Sequence, residues 1–171
     1  NACTSARVNN WRNWSAERYA AVIDHAAERQ GLRTVLTGGP ASAERAMADA
    51  IAAQVRHPVI DLVGATRPKE LLAVLGRADI AVAPDTGPLH IAAAAGTPVI
   101  GLYATSNPWR TGPYLWREWV VNRYPEALAA EAGLEPGSAR WGRRVRDPQS
   151  MQRIEIVDVT RALDQLVGAA P

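Results

Sequence analysis

An α/β fold with a doubly wound parallel sheet is what this sequence predicts, and three observations carry the prediction. Apolar runs such as Ala78-Asp79-Ile80-Ala81-Val82-Ala83-Pro84 and Val99-Ile100-Gly101-Leu102-Tyr103 are continuous rather than alternating, the pattern of strands buried on both faces. Such runs alternate with helical patterns along the chain, which indicates parallel crossover units. Two of the strands end in glycine turns that lead straight into helices, Thr37-Gly38-Gly39-Pro40 and Asp85-Thr86-Gly87-Pro88. Turns of that kind lie at the carboxyl edge of an open sheet, where ligands bind.

In chain order, residues 1–14 have no clear period and read as a loop in which Trp11 and Trp14 pack around Arg12. Ser15 is a good N-cap for a helix with Tyr19, Val22, Ile23, Ala26 and Ala27 on one face, and Gly31 stops it. A strand over 32–37, the first glycine turn and a helix over 42–55 follow, then a short strand over 59–63. Thr66 is expected to cap a helix carrying Leu71, Leu72 and Leu75 that stops at Gly76. The strand over 78–84, the second glycine turn, a short buried helix and a strand over 99–103 come next. Residues 104–117 read as one long loop, of the length that in compact domains is functional or disordered. An edge strand over 119–121, a helix over 125–132 and a mobile loop over 137–150 rich in arginine are expected before the last helix. That helix starts near Ile154 and buries Ile156, Val159, Leu163, Leu166 and Val167.

A chain of 171 residues is long enough for one domain with a sizeable core. With 19 basic and 17 acidic residues its net charge is only +2, which argues against a nucleic-acid partner and leaves local patches to carry any anion argument. The single Cys3 excludes an internal disulfide, and no group of Cys and His has metal-ligand spacing, so neither redox nor zinc chemistry is expected. No apolar stretch reaches the ~18 residues of a membrane span and no signal peptide is evident, so the chain is expected to be soluble and intracellular. It starts at Asn1-Ala2 without an initiator methionine and reads as an excised piece of a longer protein.

Chemistry concentrates at the second glycine turn, Asp85-Thr86-Gly87-Pro88-Leu89-His90. Gly87 permits close backbone approach, Pro88 suits the first helical turn and Thr86 is placed to cap, so free N–H groups would face outward as an anion site. Helix-end N–H groups favour an anion by about 0.3 to 1 kcal/mol, and each hydrogen bond to a charged group adds about 1.5 to 3 kcal/mol. A well-capped connection without ligand is the alternative. His90, one turn in, reads either as a ligand group or as a structural histidine. At the first turn, Thr37, Gly38 and Gly39 read as a nucleotide site or a plain turn, and Glu44 as a ribose ligand or a helix cap. The motif is neither GxGxxG nor a P-loop. Arg12, Arg110 and the arginines over 140–146 could neutralise phosphates or simply be solvated. No nucleophile with a base and no carboxylate pair stands out, so a binding domain fits better than a self-contained catalyst.

The block over 85–99, together with Ser106-Asn107-Pro108-Trp109-Arg110-Thr111-Gly112-Pro113-Tyr114, resembles glycosyltransferase family 9, the heptosyltransferases that add heptose to the lipopolysaccharide inner core. Arg12-Asn13-Trp14, Leu36-Thr37-Gly38-Gly39-Pro40 and Met151-Gln152-Arg153-Ile154 support the likeness, which covers most of the chain. The resemblance implies that residues 1–171 are a Rossmann-like, nucleotide-sugar-binding domain, the C-terminal half of a GT-B glycosyltransferase. It implies an N-terminal acceptor domain, absent from this chain, that supplies the catalytic base, so no catalytic residue is assigned here. An acceptor hydroxyl would displace ADP from ADP-heptose with inversion, with no metal and no cofactor. Thr86, Gly87 and their neighbours Pro88 and Leu89 would hold the diphosphate, Asp85 would face the sugar, and His90 would support the phosphates. Arg12 would stand at the family's basic position near the phosphates, and Thr4 and Ser5 would correspond to its small hydroxyl residues. The place implied is the cytoplasm or the cytoplasmic face of the inner membrane, and the chain alone would bind donor weakly without transferring sugar. Two alternatives stand beside this: a non-catalytic, flavodoxin-like module binding phosphate or a partner, and a family member using another nucleotide sugar.

Overall fold

A computed structural model describes residues 1–2 and 10–169. Helix α1 (Ala16–Gln30) begins where the Ser15 hydroxyl accepts the Arg18 N–H at 3.3 Å and ends on Gly31, which is left-handed at φ 65°. Both ends are those expected, because a short hydroxyl side chain and a residue without Cβ are what those two backbone positions require. Strand β1 (Thr34–Gly38) leads into α2 (Ser42–Ala52), and β2 (Val59–Val63) into α3 (Pro68–Leu75). The N-cap of α3 is Arg67 rather than Thr66, with Glu70 reaching back to accept the Arg67 N–H at 2.8 Å. Strand β3 (Ala81–Pro84), α4 (Gly87–Ala94) and β4 (Val99–Tyr103) form the next crossover.

Residues 104–117 are not one open loop. Helix α5 (Pro108–Thr111) is capped by the Asn107 side chain, and a 3-10 helix spans Tyr114–Trp119. Gly112 closes α5 by donating its N–H to Pro108 O at 2.7 Å, and a Cβ there would sit 2.4 Å from the same oxygen, so only glycine fits. Strand β5 (Val121–Asn122), α6 (Tyr124–Ala132), a 3-10 turn (Ser150–Arg153) and α7 (Ile156–Ala169) complete the chain. Helix α7 buries Val159, Leu163 and Leu166, whereas Ile156, expected inside, is 36% exposed and Ile154 just before the helix takes the buried place. Among the described residues no helix is long and apolar enough to cross a membrane.

Among the described residues every strand pair is parallel, and the pairs fall in two ladders. Strand β1 pairs with β2, with Thr34 opposite Val59 and Gly38 opposite Val63. The other ladder has the order β3-β4-β5. Between the two lies Asn1, whose amino group donates to Val82 O at 3.1 Å and whose side-chain amide donates to Thr37 O at 2.7 Å. Strand β4 is buried along its whole length. Ile100 and Leu102 face a core shared with α1, α2, α7 and Leu36 of β1, while Val99 and Tyr103 face a second core with α3 and α4. Alternate residues of one strand thus serve two helix layers, which explains the unbroken apolar run.

Candidate functional site

The two glycine turns leave their strands at the same kind of edge and meet different fates. After β3, Asp85, Thr86, Gly87 and His90 line an open cavity of about 410 Å³. Arg110, Thr111 and Gly112 form a second wall, and Arg12 and Arg144 complete it. After β1, Thr37, Gly38 and Glu44 border only a gap of about 10 Å³.

Asp85 is the most organised group at the large cavity. Its side chain is almost fully buried, and its Oδ2 accepts the hydroxyls of Ser106 at 2.7 Å and Thr111 at 3.3 Å. Its Oδ1 lies 3.5 Å from His90 Nε2, and Arg12 Nη1 donates to its backbone carbonyl at 2.6 Å. Burial pushes the carboxyl up, but hydrogen bonding from His90 and Ser106 and the Arg12 charge outweigh it, so the carboxyl titrates below its ordinary value. Tyr103 behind it donates its hydroxyl to Thr111 O at 2.8 Å. Burial first, and then the Asp85 charge, raise that phenol far above its ordinary value, which keeps it a neutral donor.

Thr86 occupies the N-cap position of α4 in extended backbone, yet its hydroxyl caps nothing. That oxygen is buried and has no hydrogen-bond partner among the described residues. The first-turn N–H groups of α4 have no intrahelical acceptor either, and Pro88 has none to offer. A Cβ built on Gly87 would meet nothing within 4 Å, so this glycine leaves open space. Around that end stand three guanidiniums against one carboxylate, an excess of two positive charges before any charge on His90. The arrangement suits a dianionic ligand carrying several acceptor oxygens.

Of the residues expected at the anion site, Asp85, Thr86, Gly87, His90 and Arg12 come together at this cavity. Pro88 does not line it, and Leu89 turns inward as a fully buried core residue against α3, β3 and β4. Thr4 and Ser5 lie outside the described residues. Thr37, Gly38, Gly39 and Glu44 gather at the other turn. There Glu44 Oε2 accepts the Gly39 N–H at 2.6 Å, and a Cβ on Gly39 would lie 2.8 Å from Glu44 Oε1. The helix thus places its own carboxylate where an external anion would otherwise go. The Thr37 hydroxyl is buried without a partner among the described residues.

Ser106 and Thr111 escaped the sequence reading as site residues. They reach Asp85 only because β3 and β4 pair with Pro84 opposite Leu102, which brings the chain beyond β4 alongside the turn beyond β3. Arg144 gave only an ambiguous signal, as one arginine of a cluster. It reaches the cavity through an antiparallel bridge with Ser106.

Residues 2–132 match a family model described as glycosyltransferase family 9 (heptosyltransferase). The chain is 32% identical over 155 residues to the lipopolysaccharide core heptosyltransferase OpsX of Haemophilus influenzae, covering 91% of this chain and 44% of that protein. It is 32% identical over 158 residues to an Escherichia coli lipopolysaccharide heptosyltransferase 3, again covering 44% of the relative and here 92% of this chain. The chain thus spans less than half the length of these relatives. Among solved structures, it is similar to a family 9 glycosyl transferase from Veillonella parvula, with TM-score 0.75 and 23% identity, covering 98% of this chain and 45% of that one. It is also similar to the E. coli ADP-heptose LPS heptosyltransferase II, with TM-score 0.70 and 21% identity, covering 96% of this chain and 45% of that one. These two likenesses establish the fold, the parallel α/β arrangement of GT-B glycosyltransferases.

Proposed function

This chain belongs to glycosyltransferase family 9, and from that membership we propose that it is the donor-binding half of an inverting transferase that moves heptose from ADP-heptose to the lipopolysaccharide inner core. The observation that carries the reading is the start of α4, where a buried Thr86 hydroxyl and helix N–H groups, without partners among the described residues, border a cavity ringed by Arg12, Arg110 and Arg144. In the proposed reaction an acceptor hydroxyl attacks the anomeric carbon and the bond to the diphosphate breaks. The charge that develops on departing ADP is met by the α4 N–H groups and the guanidiniums, which are already in place and need no reorganisation. Asp85, held by Ser106, Thr111 and His90, orients this turn and faces the sugar.

The nucleoside is assigned to the turn after β1, with the Thr37 hydroxyl and Glu44 as its polar contacts and Gly38 and Gly39 beside it. Acceptor binding and the catalytic base belong, in this proposal, to an N-terminal domain of the longer protein. That protein would work in the cytoplasm or at the cytoplasmic face of the inner membrane.

Titration of this chain with ADP, followed by NMR, is expected to shift the amide signals of Thr86, Gly87 and His90. Unmoved signals at about 1 mM ADP, a concentration that detects even weak sites, would sink the donor assignment. Supplied with ADP-heptose and a lipid acceptor, the chain alone is expected to transfer no sugar. Turnover under those conditions would refute the placement of the base in another domain.

A further inference from the structure

Beyond α6 the chain returns to the cavity as a strap, and its residues alternate in role as an extended segment dictates. Arg143 points toward α6, where its guanidinium donates to Glu131 Oε1 at 3.1 Å. Val145 points the same way and is fully buried with Tyr124, Ala127 and Leu128. The strap backbone is pinned on both sides. Val145 N–H donates to Thr105 O at 2.9 Å, the Tyr124 hydroxyl donates to Arg143 O at 2.9 Å, and Glu131 also accepts the Arg146 N–H. The residue between the two inward ones, Arg144, bridges Ser106 through its backbone and presents its side chain to the cavity. It is exposed, and no carboxylate of the described residues pairs with it. Gly142 lies beside Arg110, with a Cβ position 3.9 Å from the guanidinium carbon, so the strap also borders a second arginine of the cavity wall that has no carboxylate partner among the described residues.

We propose that the strap over 143–146 is a phosphate-binding arm and that Arg144 is a direct ligand of the donor diphosphate, set in place by Val145 and Glu131. The inference rests on the diphosphate reading above and adds a contact from a segment outside the α4 turn. A solvated arginine needs no such scaffold. Here a buried valine, a tyrosine hydroxyl and a bidentate glutamate fix the backbone on either side of one guanidinium that has no carboxylate partner among the described residues. The same bridge links that residue to Ser106, which holds Asp85, so arm and turn are built as one unit.

Isothermal titration of this chain with ADP and, separately, with adenosine tests the arm. The wild-type chain is expected to bind ADP more tightly than adenosine. Arg144→Ala is expected to weaken ADP binding by about tenfold to a hundredfold and leave adenosine unchanged. Arg144→Lys is expected to recover only part of the loss, because an ammonium cannot make the paired contacts of a guanidinium. Glu131→Gln, which loosens the strap without lining the cavity, is expected to fall between wild type and Arg144→Ala, and Arg77→Ala, at an exposed arginine outside the cavity, to match wild type. Equal ADP affinity for wild type and Arg144→Ala would overturn the arm while the diphosphate reading stands. A wild-type chain that binds ADP no more tightly than adenosine would bring down the diphosphate reading, and the arm with it.

Discussion

The turns after β1 and β3 share a local grammar, a threonine followed by glycine on the way from strand to helix, and they have opposite electrostatic outcomes. At the first, Glu44 of the following helix folds back and its carboxylate takes the Gly39 N–H. At the second, the helix carries no acid in its first turn, the Thr86 hydroxyl has no partner among the described residues, and arginines arrive from elsewhere in the chain. One turn is self-neutralised and nearly closed, while the other is open and cationic. The comparison teaches that a glycine turn at a sheet edge becomes an anion site through what its own helix withholds and what distant segments bring.

The sharpest way to break the comparison is to give each turn the same side chain. Gly39→Val is expected to destabilise the fold by about 2 kcal/mol, because its Cβ would drive the Glu44 carboxylate, 2.8 Å away, off the Gly39 N–H and break that charged hydrogen bond. Gly87→Val is expected to leave the unfolding midpoint in urea nearly unchanged and to abolish ADP binding, since its Cβ meets only open space. If the two variants unfolded at the same urea concentration, the difference between the turns would be an illusion of the static geometry.

A smaller effect separates the two carboxylates. Glu44→Gln keeps the shape but loses the charge on the Gly39 N–H, and about 1 kcal/mol of stability should go with it. Asp85→Asn is expected to cost more, about 2 to 3 kcal/mol, because a buried acid that accepts from Ser106 and Thr111 loses one of its acceptor oxygens. Chemical denaturation of both variants checks the order, and a costlier Glu44 change would reverse the ranking of the turns.

Acid gives the gentlest probe. Under the first ladder, Asp24 of α1 receives the backbone N–H groups of Arg56 and His57 and both of their side chains. Burial alone would raise its pKa, but those hydrogen bonds bring it down to about 2. A carboxyl depressed in the folded state contributes its full stability above the unfolded value of about 4, and loses it as pH falls toward 2. Asp24→Asn is therefore expected to flatten the stability profile between those pH values. A profile as steep as that of wild type would assign the acid sensitivity elsewhere, with Asp85, also depressed, the first place to look.

Local chemistry made much of this legible in advance. Ser15 and Gly31 bound α1 because capping needs only neighbours in sequence, and β2 is found over the residues its β-branched run marks. The turn from Asp85 to His90 could be read as an anion site because strand, glycine and proline lie within a few residues of one another. Ser106, Thr111 and Arg144 could not be read the same way. Their place at the site follows from the register of β3 against β4 and from a strap anchored on α6, which are tertiary facts. Leu89 sits inside the motif that looks most functional and yet faces the core, because a helix that presents one end to a ligand must still bury a side against the sheet. Glu44 could be read either way, since the same carboxylate suits a ribose or its own helix start.

The seam at Asn1 bears on all of this. The two turns hang from ladders that share no strand pairing among the described residues. Among the described residues one asparagine hydrogen-bonds to both ladders, and side chains of both, Leu36 on one and Ile100 and Leu102 on the other, pack into one core beneath it. A molecule long enough to touch both turns would act as a strut across the seam, gripped at one end by each ladder.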